Sequence, residues 1–326
     1  MVAGTAAELY SRSASPTGHR NLTEGALSLP WYAVAMPTRI TVLGSANMDL
    51  VVSVDRAPQL SETVTGGAFR TVPGGKGANQ ALAAARAGGQ VRFAGAVGDD
   101  AYGAQVRALL VAAGVDVSAL HTAAVPTGTA HITVDGSGAN SIVVVPGANG
   151  TVQALSEAHR AAIAGADVLL LQLELPMAAV REAARYAHSQ GVAVVLAPAP
   201  PVPLPGELLE AVDLLVPNEH EAAALKLSPA EHRDLLVTLG AAGARYERHG
   251  EPPLTVPAFD VAAVDTTGAG DAFVGAFAVA RGEHPDLEGA LRWASAAAAL
   301  SVRRFGASAS LPERAEIDAF LREHGG

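Results

Sequence analysis

The stretch VDTTGAGDAF, Val264 to Phe273, puts an acid, Asp271, directly after the small-residue turn Gly268-Ala269-Gly270. Beyond it Ala272, Phe273, Ala276, Phe277 and Ala280 recur at helical spacing, so a helix should begin near Ala269 or Gly270. The first amides of a helix have no partners within it, and the macrodipole adds partial positive charge there. Glycine lets a ligand approach such a backbone closely, so the turn suits a phosphate group. An acid in that first turn has two readings. One is favourable charge at a helix N-terminus, worth roughly 0.3–1 kcal/mol. The other is a base that takes a proton from a hydroxyl attacking the phosphate. The turn alone does not choose between them.

A second dense motif is PGGKGANQA, Pro73 to Ala81. Gly74, Gly75 and Gly77 permit a tight backbone, and Asn79 offers an amide that both donates and accepts. Sugar hydroxyls also both donate and accept, so they need such partners. Lys76 would be a solvated lysine in most settings; its glycine neighbours point toward a ligand. A Walker A loop is not formed here, because its first glycine is missing and Lys76 is followed by Gly77. The dinucleotide fingerprint also fails, since Phe273 stands where its third glycine should be. That disfavours a nucleotide-linked oxidoreductase.

These motifs need a scaffold. From Arg39 onward, apolar runs such as RITVLG, VRFAGAVG, ADVLLLQL, VAVVLAP, VDLLVPN and DLLVTLG alternate with helical text. The order predicts an α/β fold with a doubly wound, mostly parallel sheet and helices on both faces. Two segments, near 48–72 and 122–146, instead carry short alternating strands and turns, the second with a DGSG turn; they predict a small antiparallel β lid. GARYERHGEPPLTVP reads as a further hairpin, and FDVAAVD, before Asp271, as strand-like. Ligands of doubly wound sheets sit at the carboxyl ends of strands. Asn47 and Asp49, Glu174, Asn218 and Glu219, Thr238 and Gly240, and Asp271 all follow apolar runs.

The 326 residues are 49% hydrophobic and 17% charged, which describes a globular chain. A net charge of −10 argues against a nucleic-acid partner. There is no cysteine, so disulfides and thiolate metal sites are excluded, and a reducing, cytoplasmic location is expected. No apolar run reaches the ~18–20 residues of a membrane span. Residues 1–36 lack the pattern of a secretory signal and are expected to be a disordered leader, Met36 directly preceding the first strand, with one kinase domain over 37–326.

Taken together, the motifs resemble those of the ribokinase-like (pfkB-type) carbohydrate kinases. The resemblance runs from Arg39 to about Leu321 and includes GSANMD, GGKGANQALAAARAGG, PTGTAHITVD, VVVPGANG, QLELP, LAPAP, VPNEHEA, TLGAAG and VDTTGAGDAF in order. It implies a kinase that moves the γ-phosphate of ATP to the O5 hydroxyl of D-ribose. Asp271 matches the catalytic base, and Gly268, Ala269 and Gly270 match the anion hole. Asn47, Asp49, Gly75, Lys76, Gly77, Asn79 and Glu174 match sugar contacts, and Asp271 belongs with them as well. Asn218, Thr238, Gly240, Gly243, Gly270 and Ser295 match ATP contacts. Glu221 matches a residue that acts through water on the Mg²⁺ accompanying ATP. Asp265, Thr267, Ser301, Arg304, Gly306 and Ser310 match the ligands of an activating K⁺. The resemblance also implies a homodimer formed through the lid.

Three departures touch the nucleotide side. The crossover between Glu221 and Leu235 is short, Ala197 stands where an Asn is common, and Ser295 stands where some members have a His. Other sugar or nucleoside kinases of the family, among them deoxyribokinase and fructokinase, are the alternatives in specificity. A non-catalytic sugar-binding protein is the alternative in kind.

Overall fold

In β1, Arg39–Leu43, every residue after Arg39 is buried, because the strand lies mid-sheet with helices on both sides. The computed structural model describes residues 37–228, 234–284 and 286–324. The expected leader, 1–36, and part of the short crossover lie outside the described residues.

After β1 come β2 (Asn47–Ser53), β3 (Ala68–Gly74), α1 (Lys76–Arg86), β4 (Gln90–Gly98), α2 (Ala101–Ala112) and β5 (Asp116–Ala123). The hairpin β6 (Gly128–Val134) and β7 (Asn140–Val145) precedes α3 (Glu157–Ala164), β8 (Val168–Leu171), α4 (Met177–Ser189) and β9 (Ala193–Leu196). Next are α5 (Gly206–Leu209), β10 (Leu214–Leu215), α6 (Glu219–Leu225), β11 (Asp234–Thr238), β12 (Ala244–Arg248) and β13 (Leu254–Val256). The chain closes with α7 (Ala269–Glu283), α8 (Leu287–Ser301), α9 (Ala307–Ser310) and α10 (Arg314–His324).

The main sheet has nine strands in the order β13-β12-β11-β10-β9-β8-β1-β4-β5. It is parallel from β5 through β11, and β12 and β13 extend it antiparallel. Side chains alternate across it. Ile40, Val42, Val168 and Leu170 pack with α1, α7 and α8, while Leu43, Leu169 and Leu171 pack with α3 and α4. Both sets are apolar, which is why these strands read as continuous hydrophobic runs. On the first face α1 and α7 touch closely. A Cβ added at Gly275 of α7 would stand 2.6 Å from the Ala83 Cβ of α1, so only glycine permits this approach.

The lid is a four-stranded sheet in the order β3-β2-β6-β7. Its two halves are antiparallel pairs as expected, but β2 and β6 join them in parallel, so the whole is mixed. One reading changes. Residues 259–265, strand-like in sequence, form no strand. β13 already edges the sheet, and the amides of Val264 and Asp265 donate instead to the Val302 carbonyl past α8, at 2.7 and 3.1 Å. The short crossover is made by α6 alone among the described residues, and Leu215 of β10 pairs with Leu235 of β11 in parallel.

Candidate active site

The sheet reverses its winding beside β1: the chain moves outward through β4 and β5 on one side and through β8 to β11 on the other. Such a switch point leaves a crevice at the strand ends. Asn47, at the start of β2, and Glu174, just past β8, both emerge there. Asn47 is buried, and its Oδ1 accepts from Asn149 Nδ2 at 2.7 Å. Asn149 is itself fixed to Ala46 through both ends of its amide. Glu174 accepts from the Ser45 hydroxyl and, at 3.1 Å, from the Lys76 amide. It thereby satisfies an orphan donor at the start of α1 and brings the PGGKGAN turn to the crevice.

Three carboxylates share this space with one lysine. Burial, then Glu174 and Asp271, push the Asp49 carboxyl up to about 7, while Lys76 pulls it back. Lys76 is raised above its ordinary range, chiefly by Asp271, with Glu174, Glu221 and Asp49 also contributing. Asp271 is buried in the first turn of α7, and burial raises its carboxyl; Lys76, Gln80 and Asn79 oppose that rise. Asn79 Nδ2 donates to its Oδ2 at 3.1 Å, and Gln80 Nε2 to its Oδ1 at 3.0 Å. Asn79, expected as a sugar contact, is therefore also a partner of the acid.

Gly268 caps α7 with φ 78°, and an added Cβ would lie 2.9 Å from the Ala307 Cβ. Any other residue there would be strained and crowded at once. Nothing lies within 4 Å of where a Gly270 Cβ would stand, so this end of α7 opens onto free space. That space is a cavity of about 830 Å³. Asn218, Thr238, Gly240, Gly243, Gly270 and Ser295, the six expected nucleotide contacts, all line it. Phe273, Val261 and Ala298 supply apolar wall, suited to a flat ring. Ser295 Oγ is buried without a hydrogen-bond partner among the described residues. Ala197 is not part of the wall; it is buried at the end of β9, donating to the Leu171 carbonyl.

Asn218 and Glu221 form a reciprocal capping box on α6: Asn218 Oδ1 accepts from the Glu221 amide at 2.8 Å and Glu221 Oε2 from the Asn218 amide at 2.9 Å. Glu221 is not in the cavity wall, but it is near enough to act on Lys76. Of the expected K⁺ ligands, the structure joins Asp265 to Thr267 and Gly306. Asp265 Oδ1 accepts from the Thr267 amide and hydroxyl at 2.9 and 2.6 Å, and Oδ2 from the Gly306 amide at 2.9 Å. Burial would raise this carboxyl, yet these bonds, with Arg70 nearby, hold it below the usual range. The hydroxyls of Ser301 and Ser310 turn to helical carbonyls, those of Ala298 and Ala307, and the Arg304 guanidinium pairs with Glu316.

Sequence reading missed four residues that shape the site: Ser45, Gln80, Asn149 and Gln172. Each lies in or beside a motif: Ser45 and Gln172 are polar side chains just past apolar strands, Gln80 lies in the run of the glycine-rich turn, and Asn149 in the PGANG turn after β7. On the lid, register continues the face that bears Asp49 outward: Asp49 neighbours Ala130, which neighbours Val144, and the next row is Val51, Ile132 and Ile142. Ile142 and Val144 are about half exposed, at 52% and 45%.

Residues 37–314 match the pfkB family carbohydrate kinase. Over 299 residues the chain is 46% identical to the ribokinase of Bacillus subtilis, covering 86% of this chain and 99% of that protein. It is 40% identical to the ribokinase of Haemophilus influenzae over 307 residues, covering 89% of this chain and all of the other. The solved structure of Arabidopsis thaliana ribokinase complexed with ribose and ATP superposes with a TM-score of 0.81 at 34% identity, covering 88% of this chain and 99% of that one.

Proposed function

The chain belongs to the pfkB family of carbohydrate kinases, and from that premise we propose that it phosphorylates D-ribose at O5 with ATP, releasing ribose 5-phosphate and ADP. The observation that carries the reading is the place of the first turn of α7. Asp271 meets Asn79 on the crevice side, and Gly270, one residue earlier, lines the large cavity. Sugar and nucleotide would meet across this turn.

Asn47, Asp49, Asn79 and Glu174, with Lys76 and the Gly75 and Gly77 backbone, hold the sugar. Charged acceptors strengthen the bonds they receive from hydroxyls. Asp271 takes the proton from O5 as that oxygen bonds to the γ-phosphorus and the bond to ADP breaks. The amides of Gly268, Ala269 and Gly270, at a helix N-terminus, stabilise charge on the transferring group. Asn218, Thr238, Gly240, Gly243 and Ser295 hold the nucleotide.

A divalent metal accompanies ATP in this chemistry. Mg²⁺ keeps several waters and takes few protein ligands, so Glu221 fits as a residue that reaches it through water. The lowered Asp265 carboxyl, with the Thr267 and Gly306 backbone beside it, fits a monovalent cation such as K⁺, completed by oxygens of Ser301, Arg304 and Ser310. Residues 37–326 act as one kinase domain with its lid, and the half-exposed Ile142 and Val144 suit a homodimer formed lid to lid. Among the described residues no helix is long and apolar enough to cross a membrane; the cytoplasm is the compartment we assign.

The test is ADP release by purified protein with Mg²⁺ and K⁺, across ribose, deoxyribose, fructose and adenosine. Preference for ribose is expected. Preference for another acceptor would move the specificity, and no turnover by folded, ribose-binding protein would favour a binding protein instead.

A further inference from the structure

Gln80 follows Asn79 in α1 and is 1% exposed. Its Nε2 donates to Asp271 Oδ1 at 3.0 Å, and its Oε1 accepts from Gln172 Nε2 at 2.6 Å. Gln172, just past β8, is equally buried, and its Oε1 fills the place where a Cβ on Gly44 would stand. The Gly44 backbone thus leaves room for that oxygen and no more. An amide has a donor end and an acceptor end of nearly the same shape. Which end Gln80 turns toward Asp271 depends on what its other end meets. Gln172 Oε1 lies against Gly44 without a hydrogen-bond partner among the described residues, held there by packing alone; Gln172 thus presents its N–H, and Gln80 gives it the oxygen and keeps its own N–H groups for the carboxylate. Asn79 supplies the matching donor to Asp271 Oδ2 at 3.1 Å. Each carboxylate oxygen thus accepts one N–H from neighbouring residues of α1, and further lone pairs stay open for a hydroxyl.

We propose that Gln172 and Gln80 are positioning residues: Gln172 orients the Gln80 amide, which with Asn79 clamps the Asp271 carboxylate in the attitude that receives the sugar's proton. The proposal rests on Asp271 being the base. The charged groups facing Asp271 are Lys76 from α1 and Asp49 from β2, with Glu174 acting on both. Removing an amide donor leaves them in place, so its effect is separable from theirs. Asp49 would titrate chiefly in sugar binding, whereas the clamp acts on turnover at saturating sugar.

The experiment measures kcat and the ribose KM against pH for Gln80→Met, Gln172→Met and the double variant, with Asp271→Asn alongside. Methionine keeps the length and loses the amide. A lost hydrogen bond to a carboxylate should move the acid limb of kcat upward by about one pH unit. For Gln80→Met we expect that shift, a fall in kcat of about 10- to 100-fold at neutral pH and a KM within about threefold of wild type. Gln172→Met should shift the limb less, in the same direction, and the double variant should match Gln80→Met alone. An unmoved acid limb, a change confined to KM, or additive effects would overturn the proposal. If Asp271→Asn kept wild-type turnover, the base assignment itself would be wrong. If it were inactive while Gln80→Met behaved as wild type, only the relay would be wrong. Should Gln80→Met not fold, Gln172→Met carries the same test one residue further from the carboxylate.

Discussion

Replacing Asp49 by Asn should make the protein more stable at neutral and alkaline pH while weakening its hold on the sugar. Asp49 sits mostly buried between Glu174 and Asp271, and its carboxyl is raised from 3.8 to about 7. At about 1.4 kcal/mol for each unit, that difference corresponds to about 4 kcal/mol as an upper bound. The sign follows from proton counting. Between the unfolded value and about 7 the native state holds a proton that the unfolded chain has released. Stability contributed by this group is therefore full below the unfolded value and is lost as pH rises through the folded one. The amide of Asp49→Asn cannot ionise, so the variant lacks this loss. Between pH 5 and 7 the wild type should lose about 2.3 kcal/mol relative to the variant, or about 5 °C in Tm at roughly 2 °C per kcal/mol for a chain of this size. Thermal melts of both proteins without sugar, at half-unit steps from pH 5 to 8.5, read this directly. Parallel curves across the window would mean that Asp49 is not held protonated in the fold.

Asn218→Ala removes half of the capping box on α6 and should cost about 1 kcal/mol in a denaturant melt as well as raising the KM for ATP. Ile142→Lys, on the half-exposed lid strand, should convert a dimer to a monomer by light scattering and remove any dependence of the melting temperature on protein concentration; a monomeric wild type would sink the lid-to-lid arrangement. Exchanging K⁺ for Na⁺ should lower turnover, and equal rates in the two salts would count against a cation at Asp265.

Much of the fold was legible because the parallel strands are buried on both faces and so print as unbroken apolar runs between helical text. The two glycine-rich turns were legible because an anion-binding helix start and a tight backbone approach need residues without side chains. Less legible was the parallel joint between β2 and β6, since alternation along a strand says nothing about its neighbour's direction. The 259–265 segment misled because Val261 and Val264 carry strand propensity, while the fold offers that backbone a helix-end carbonyl rather than a strand edge. In the site, residue types announced the charged groups but not the amides behind them. Nothing in the spacing of Gln80 and Gln172, on α1 and after β8, says that β1, β8, α1 and α7 bring them into one line with Asp271.

The role of Asp271 as base is decided by the turnover of Asp271→Asn measured beside its binding of ribose by calorimetry. Asn is close in shape and cannot take the O5 proton. Ribose affinity should stay within a few-fold of wild type while kcat falls by about 10²- to 10⁴-fold. Near-wild-type kcat in a folded variant would contradict that role, and Asp271 would then be no more than favourable charge at the start of a helix.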